Sequence, residues 1–225
     1  MTLKAVALVR RARALEPERF HELLRQRGSV GHDGVVGHVQ SHVRPAGYRR
    51  GEPAVDAVVE LWLADGFAPS IEELCGRGAV LGEDICERSQ LALITTVEHI
   101  VKDGPRPPGG VKNIEIVHRR RDLPPTEFHR YWRERHGPLA ATIGPILRYV
   151  QSHAVDDPAS RPFDGIASTW FHSTAAMRES ALTAEYAATR ADEENFLVEP
   201  LPFVITDEVT IVEPPAGRPP TRERD

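Results

Sequence analysis

The chain repeats itself. Displaced by 108 positions, it matches its own sequence at Lys4/Lys112, Val9/Val117, Arg11/Arg119, Arg13/Arg121, Leu15/Leu123, Pro17/Pro125, Phe20/Phe128, His21/His129, Arg25/Arg133 and Arg27/Arg135. Ten identities within the 24 residues from Lys4 to Arg27 far exceed chance. Asp56/Asp164, Trp62/Trp170 and Asp84/Asp192 hold the same displacement. A displacement of 111 aligns Val39–His42 with Val150–His153 and Ile94-Thr95 with Ile205-Thr206. A tandem duplication restricts the fold to two copies of one small module. Between the copies, the run from Asp103 to Gly110 is Asp-Gly-Pro-Arg-Pro-Pro-Gly-Gly, which can build neither a helix nor a strand interior. The modules are therefore set at residues 1–103 and 111–213, with 104–110 as linker. Residues 214–225, again rich in proline and charge, are expected to be disordered.

Each half reads β-α-β-β-α-β. The first strand is Ala5 to Arg10, or Asn113 to Arg119, and Pro17 or Pro125 sits just inside the helix that follows, where its fixed φ suits the first turn. Phe128, Trp132 and Arg135 at i, i+4, i+7 put the aromatics on one face of that helix, and Gly137-Pro138 is expected to stop it. Strand two is Gly37 to Val43, or Arg148 to Ala154; strand three is Ala54 to Leu63, or Ile166 to Phe171. The second helix opens at Ser70, with Glu73 as capping-box partner, or at Ser173. The last strand is Leu91 to Val101, or Phe203 to Val212. This is the order of a ferredoxin-like module, whose helices cover one sheet face and leave the other needing a partner. Two copies supply it, giving an α+β fold in which two ferredoxin-like sheets pack together as an intramolecular α/β barrel.

Composition excludes several classes. Of 225 residues, 40% are hydrophobic and 27% charged, so the chain is neither a disordered polyelectrolyte nor a membrane bundle. A net charge of -5 argues against a nucleic-acid binder, which needs a basic face. Cys75 and Cys86 cannot make a disulfide framework, and the N-terminus lacks the order of a secretory signal, so a cytoplasmic location is expected. No stretch is long and apolar enough to enter a membrane.

The second half resembles the EthD family, a branch of the dimeric α/β barrel superfamily. Four blocks carry the resemblance: Leu123-Pro-Pro-Thr-Glu-Phe-His-Arg-Tyr-Trp-Arg-Glu-Arg-His-Gly-Pro-Leu139, Arg148-Tyr-Val-Gln-Ser-His153, Phe163-Asp-Gly-Ile-Ala-Ser-Thr-Trp-Phe171 and Ala191-Asp-Glu-Glu-Asn-Phe196. The first half resembles it through Phe20-His21, Gln40-Ser41-His42, Asp56, Trp62 and Asp84, but has Gly28 in place of His136 and His38 in place of Tyr149. The resemblance implies small cofactor-free barrels linked to ether degradation, polyketide dehydration and secondary metabolism. Relatives elsewhere in the superfamily include cyclases, cofactor-free monooxygenases and haem proteins.

His136, at the expected helix C-terminus, would have its imidazolium favoured there and its pKa raised, suiting a proton donor; the competing role is a helix cap. Tyr149, Gln151 and His153 alternate along one strand and share a face. Because helix-facing positions should be apolar, that face is expected to line the cavity between the sheets, with His38, Gln40 and His42 as the matching wall. A hydrogen-bonded belt that fixes strand register is the alternative. His136, Tyr149 and His153 are thus the candidate catalytic residues, with Gln151, Trp132, Trp170 and His129 as substrate contacts. For His129, retention in both halves also suits packing. Trp62 and Trp170 read as core or cavity wall, and Asp84 and Asp192 as caps or loop ion pairs. His38 and His42 lie four apart on a strand, roughly 13 Å, too far to share a metal.

Three functions remain open. The leading one is a cofactor-independent lyase or cyclase, acting by acid-base dehydration or cyclisation on a hydrophobic, oxygenated, polyketide-like or aromatic small molecule. The second is a cofactor-free or haem-dependent oxygenase, and the third a non-catalytic small-molecule binding protein. The expected partner is a small hydrophobic ligand, with a homodimer left open. Loss of His136 and Tyr149 from the first half centres any ligand on the second.

Overall fold

The structure, a computed structural model, describes residues 2–28, 34–49, 51–75 and 79–215, so most of the expected disordered tail lies outside the described residues. The first half runs β1 (Leu3–Val9), α1 (Pro17–Gly28), β2 (Val35–Val43), β3 (Ala57–Leu63), α2 (Ile71–Cys75) and β4 (Ala92–Lys102). The second runs β5 (Val111–Val117), α3 (Pro125–Tyr131), a π turn (Trp132–His136), α4 (Gly137–Ala141), β6 (Arg148–Ala154), β7 (Gly165–Phe171), α5 (Thr174–Ser180), α6 (Ala184–Glu193) and β8 (Phe203–Val212). Each half is the β-α-β-β-α-β module read from the sequence. The capping signals act as their residues imply: Ser70 and Glu73 bond reciprocally, and the Ser173 side chain accepts from the Ala176 N–H.

The two sheets join edge to edge as well as face to face. The order β1-β3-β2-β8-β5-β7-β6-β4 closes on itself through β1 and β4, and antiparallel seams β2–β8 and β4–β6 tie the halves together. Closure leaves no open sheet edge. Strand alternation then sorts the side chains. Ala5, Ala7 and Val9 of β1 face α1 and α2, while Val6 and Leu8 point into the barrel with Val58, Ile94, Ile114, Ile116, Ile166 and Val204. The shared interior is thus packed rather than hollow.

Toward the end marked by Trp62 and Trp170, the interior turns ionic. Lys4, Glu60 and Lys112 are almost wholly buried. Lys4 Nζ donates to Glu60 at 2.8 Å and to Glu98 at 2.7 Å, and Lys112 bonds the other Glu60 oxygen and lies 3.0 Å from Glu208. Buried charges persist only when paired in this way. Burial opposes ionisation of Glu60, but Lys112 and Lys4 outweigh it and hold its pKa well below the usual carboxylate range.

One helix departs from the sequence expectation. Gly137-Pro138 does not stop it; the chain passes through a π turn, in which Gly137 N–H bonds Trp132 O, and stays helical to Ala141. Pro138 cannot donate to an α ladder, and its ring would clash with the carbonyl four residues back, so a wider turn carries the helix past it. The extra residue also shifts the face. Phe128 and Trp132 are buried as expected, but Arg135 is exposed and His136, at i+8, takes the inward place with 5% exposure. Among the described residues, no helix is long and apolar enough to cross a membrane.

Candidate functional site

The polar triplet of β6 does not face the barrel interior. Tyr149, Gln151 and His153 point to the helix side, and Val150, Ser152 and Ala154 take the inward places. The expectation fails because this helix face offers polar partners. Gln151 Nε2 donates to the Trp132 carbonyl at 2.9 Å and to the Tyr149 hydroxyl at 3.0 Å, leaving its Oε1 to accept from His153 Nε2 at 3.0 Å. His153 Nδ1 then accepts from His129 Nδ1 at 2.9 Å, and the His153 ring stacks on Trp132 with centroids 4.3 Å apart. Burial lowers both imidazoles, His153 to about 2 and His129 to about 4. They are neutral at pH 7, as this single-proton chain requires.

Tyr149 closes the chain. Its oxygen accepts from Gln151 and, at 3.3 Å, from Trp132 Nε1. Its own O–H is left to donate, and its side chain borders a cavity of about 390 Å3 between the sheet and α4, α5 and α6. His136 borders the same cavity. The wall is largely apolar, with Ala140, Ile143, Ile146, Phe171, Met177 and Leu201, and its remaining polar groups include Asn113, Glu115, Arg190 and Glu193.

His136 Nδ1 lies 3.0 Å from Asp192 Oδ2, and the other Asp192 oxygen accepts from Tyr131 at 2.6 Å. Asp192 is therefore more than the cap or loop ion pair expected: it fixes the tautomer with Nδ1 protonated and the Nε2 lone pair free. His136 is also not at a helix end. Burial lowers its pKa, with Asp192 opposing, so a base replaces the proton donor expected from the sequence. Across the wall, burial and the neighbouring Glu115 push Glu193 up to about 8, although Arg190 lies 2.5 Å away. Burial raises Glu115 likewise. Arg190 also serves Glu199, so one cation balances three carboxylates and a proton stays in the cluster at neutral pH.

Of the seven residues singled out, then, His136 and Tyr149 share the cavity, while His153, Gln151, Trp132 and His129 form the network behind Tyr149. The three candidate catalytic residues do not all converge. Trp170 stands apart, at the mouth of the barrel interior. Glu115 and Glu193 were not singled out, and Asp192 was read only as a cap or loop ion pair. Asp192 and Glu193 fall in the block Ala191–Phe196, but nothing local marks Glu115, on a strand far earlier in the chain, as their neighbour. Among the described residues, no three His, Cys, Asp or Glu stand together as a metal site. Within the wall, His136 Nε2 is the group that would hold a haem iron, were one bound, with Asp192 fixing its tautomer, and the iron would supply redox chemistry.

The first half keeps the network and fills the space. Gln40 Nε2 donates to Leu24 O at 2.9 Å, Gln40 Oε1 bonds His42 Nε2 at 2.9 Å, and His42 stacks on His21 at 4.7 Å. Ala7 and Ile85 replace Glu115 and Glu193, however, and pack with Leu24, Leu74, Val80 and Leu81 in a continuous apolar cluster.

The EthD domain family matches residues 120–200, within the second half. Among solved structures, an anthrone oxidase-like protein superposes with a TM-score of 0.65 over 94% of each chain at 10% identity. A candidate chlorite dismutase gives 0.55 over 94% of this chain and 96% of its own at 11% identity. A candidate monooxygenase from Lactobacillus acidophilus NCFM gives 0.51 over 93% and 94% at 12% identity. At such identities these likenesses establish a shared fold alone. No curated protein sequence matches the chain.

Proposed function

We propose that the second-half cavity carries out proton transfer on a hydrophobic, oxygenated small molecule, as a lyase or cyclase of the dehydratase type. The observation that carries this reading is a neutral imidazole held by Asp192 facing a proton-bearing carboxyl cluster across one apolar cavity. Groups whose environments push their pKa values in opposite senses are the usual basis for assigning base and acid. His136 Nε2 takes a proton from carbon next to a carbonyl, and the Tyr149 O–H donates a hydrogen bond to the carbonyl oxygen as charge develops there. Glu193 supplies the proton with which a departing hydroxyl leaves as water. His153, Gln151 and Trp132 act through Tyr149, directing its hydroxyl into the cavity.

A second reading shares the first step. Deprotonation by His136 of an anthrone-like carbon next to a carbonyl would make a carbanion able to react with oxygen, and the names borne by the oxidase-like and monooxygenase neighbours favour it. The test is exchange of α-protons of aryl ketones with D2O, followed by NMR, with dissolved oxygen monitored alongside. The expected result is exchange catalysed by the protein and slowed about 100- to 10,000-fold in His136→Ala, with the fold unchanged. Exchange with oxygen uptake selects the oxygenase; no exchange with any enolisable ketone bound leaves a binding protein and overturns the proposal.

A further inference from the structure

The duplication gives the helix-side cavity an internal comparison. On its floor, Tyr149, Thr169 and Asn113 stand side by side across β6, β7 and β5, with about 4.8 Å from strand to strand. The first half has the same row in the same register, as His38, Leu61 and Ala5 on β2, β3 and β1. Leu61 is 1% exposed and belongs to the apolar cluster that fills that half. Thr169, in its place, is only half-buried, although helices cover this face of the sheet, because its side chain borders the cavity.

The buried threonine hydroxyls are matched within the chain. Thr96 and Thr206 donate to the Lys4 and Lys112 carbonyls at 2.9 Å, and Thr189, also on the cavity wall, donates to Glu185 O at 2.8 Å. The Thr169 hydroxyl makes no hydrogen bond with any described residue. Unlike the unmatched Ser152 and Ser168 hydroxyls inside the barrel, it is not sealed off either. The space it reaches is the cavity that holds His136 and Tyr149. A hydroxyl both donates and accepts, and this one sits between two neutral neighbours, so it matches a neutral hydroxyl or carbonyl oxygen.

We propose that Thr169 is a specificity-determining residue of this cavity, whose hydroxyl takes a second, neutral oxygen of the substrate while Tyr149 holds the reacting carbonyl. The placement of the carbonyl rests on the proton-transfer reading; the contact with the second oxygen is tested without it.

The test is calorimetric titration of the full chain with α-tetralone and with a set of α-tetralones that each carry one ring hydroxyl at a different position. At least one hydroxylated ketone is expected to bind about fivefold tighter than α-tetralone, the size of one hydrogen bond between neutral groups. Thr169→Val, which keeps the β-branched shape that a strand favours, should bring the two affinities level. Thr169→Ser, which keeps the hydroxyl, should retain the preference. No preference in the wild type, a preference that survives in Thr169→Val, or no binding of any of these ketones would overturn the proposal. So would an equal weakening of both ketones by Thr169→Val, which is what a packing role gives. Exchange of α-protons with D2O, followed on the same samples, separates the two readings. Discrimination through Thr169 without exchange removes the proton-transfer reading and upholds this one; exchange without discrimination does the reverse.

Discussion

At His136, two effects of opposite sign meet. Burial favours the neutral ring, and the Asp192 carboxylate favours the charged one; burial prevails and leaves a base. Removing only the opposing effect separates them. Asp192→Asn is expected to slow α-proton exchange about tenfold or more, because the ring loses its orientation. It should also move the acid limb of the pH profile lower, because the group that raises the His136 pKa is gone. A profile that keeps its midpoint would show that Asp192 does not act on the base. The identity of His136 as a candidate was legible in the sequence, through the block Leu123–Leu139 that contains it. Its protonation state was not. That state depends on Asp192 and Phe196, which fold against the ring from α6 and the turn after it, and on Tyr131, which holds Asp192 from the helix that His136 continues.

Among the elements, α3 and its continuation show how one residue of spacing alters a wall. The i, i+4, i+7 spacing put Phe128, Trp132 and Arg135 on one face; in the structure Phe128 and Trp132 are buried there with His136, and Arg135 is exposed. Glu134, half-exposed within that turn, is where the account can be tested. Deleting it should restore α geometry and keep His136 inward at i+7, at a cost of about 3 kcal/mol from Pro138 within an unbroken helix. Combining the deletion with Pro138→Ala should recover most of that stability in urea unfolding. An equal loss in both variants would mean that proline is not the cause of the wide turn. The strands were easier to read. Strand β6 spans Arg148–Ala154 and β8 Phe203–Val212, as alternation implied. Alternation also told which residues share a face, but not which face meets the helices, because that depends on the partner each face finds.

For the molecule as a whole, the closed barrel makes each half the other's missing edge. Residues 111–215 alone would expose the edges of β6 and β8 together with Ile114, Ile116, Ile166 and Val204. The isolated half should therefore form a twofold dimer, pairing β6 of one copy with β8 of the other. Light scattering on that fragment checks this, and a folded monomer would contradict it. The titration of the whole chain follows from burial. His21, His42, His99, His129, His136 and His153 all have lowered pKa values, with desolvation the largest cause. The unfolded chain takes up those protons below about pH 6.5, so stability falls as pH drops from there toward about 4. Glu115 and Glu193 act in the opposite sense. They hold protons in the folded state that the unfolded chain has released, and they cost stability as pH rises from about 4.5 toward 8. Thermal midpoints should peak between pH 6 and 7 and fall more steeply on the acid side; a plateau from pH 5 to 8 would contradict the assignment.

What the sequence determined by itself was the architecture. A duplication leaves its record in aligned identities, strand alternation and proline-glycine runs are local, and two one-sided sheets have few ways to satisfy each other. The halves, their element order and the barrel all follow from signals carried within a few residues of where they act. That the second half carries the site was implied by Gly28 and His38; what walls its cavity, which nitrogen of His136 carries the proton, and why Glu193 holds its proton to higher pH were decided only in three dimensions. Cavity volume, desolvation and the balance of one arginine against three carboxylates are sums over side chains from β5, β6, α4, α5 and α6. Such sums exist only once those elements have packed against one another.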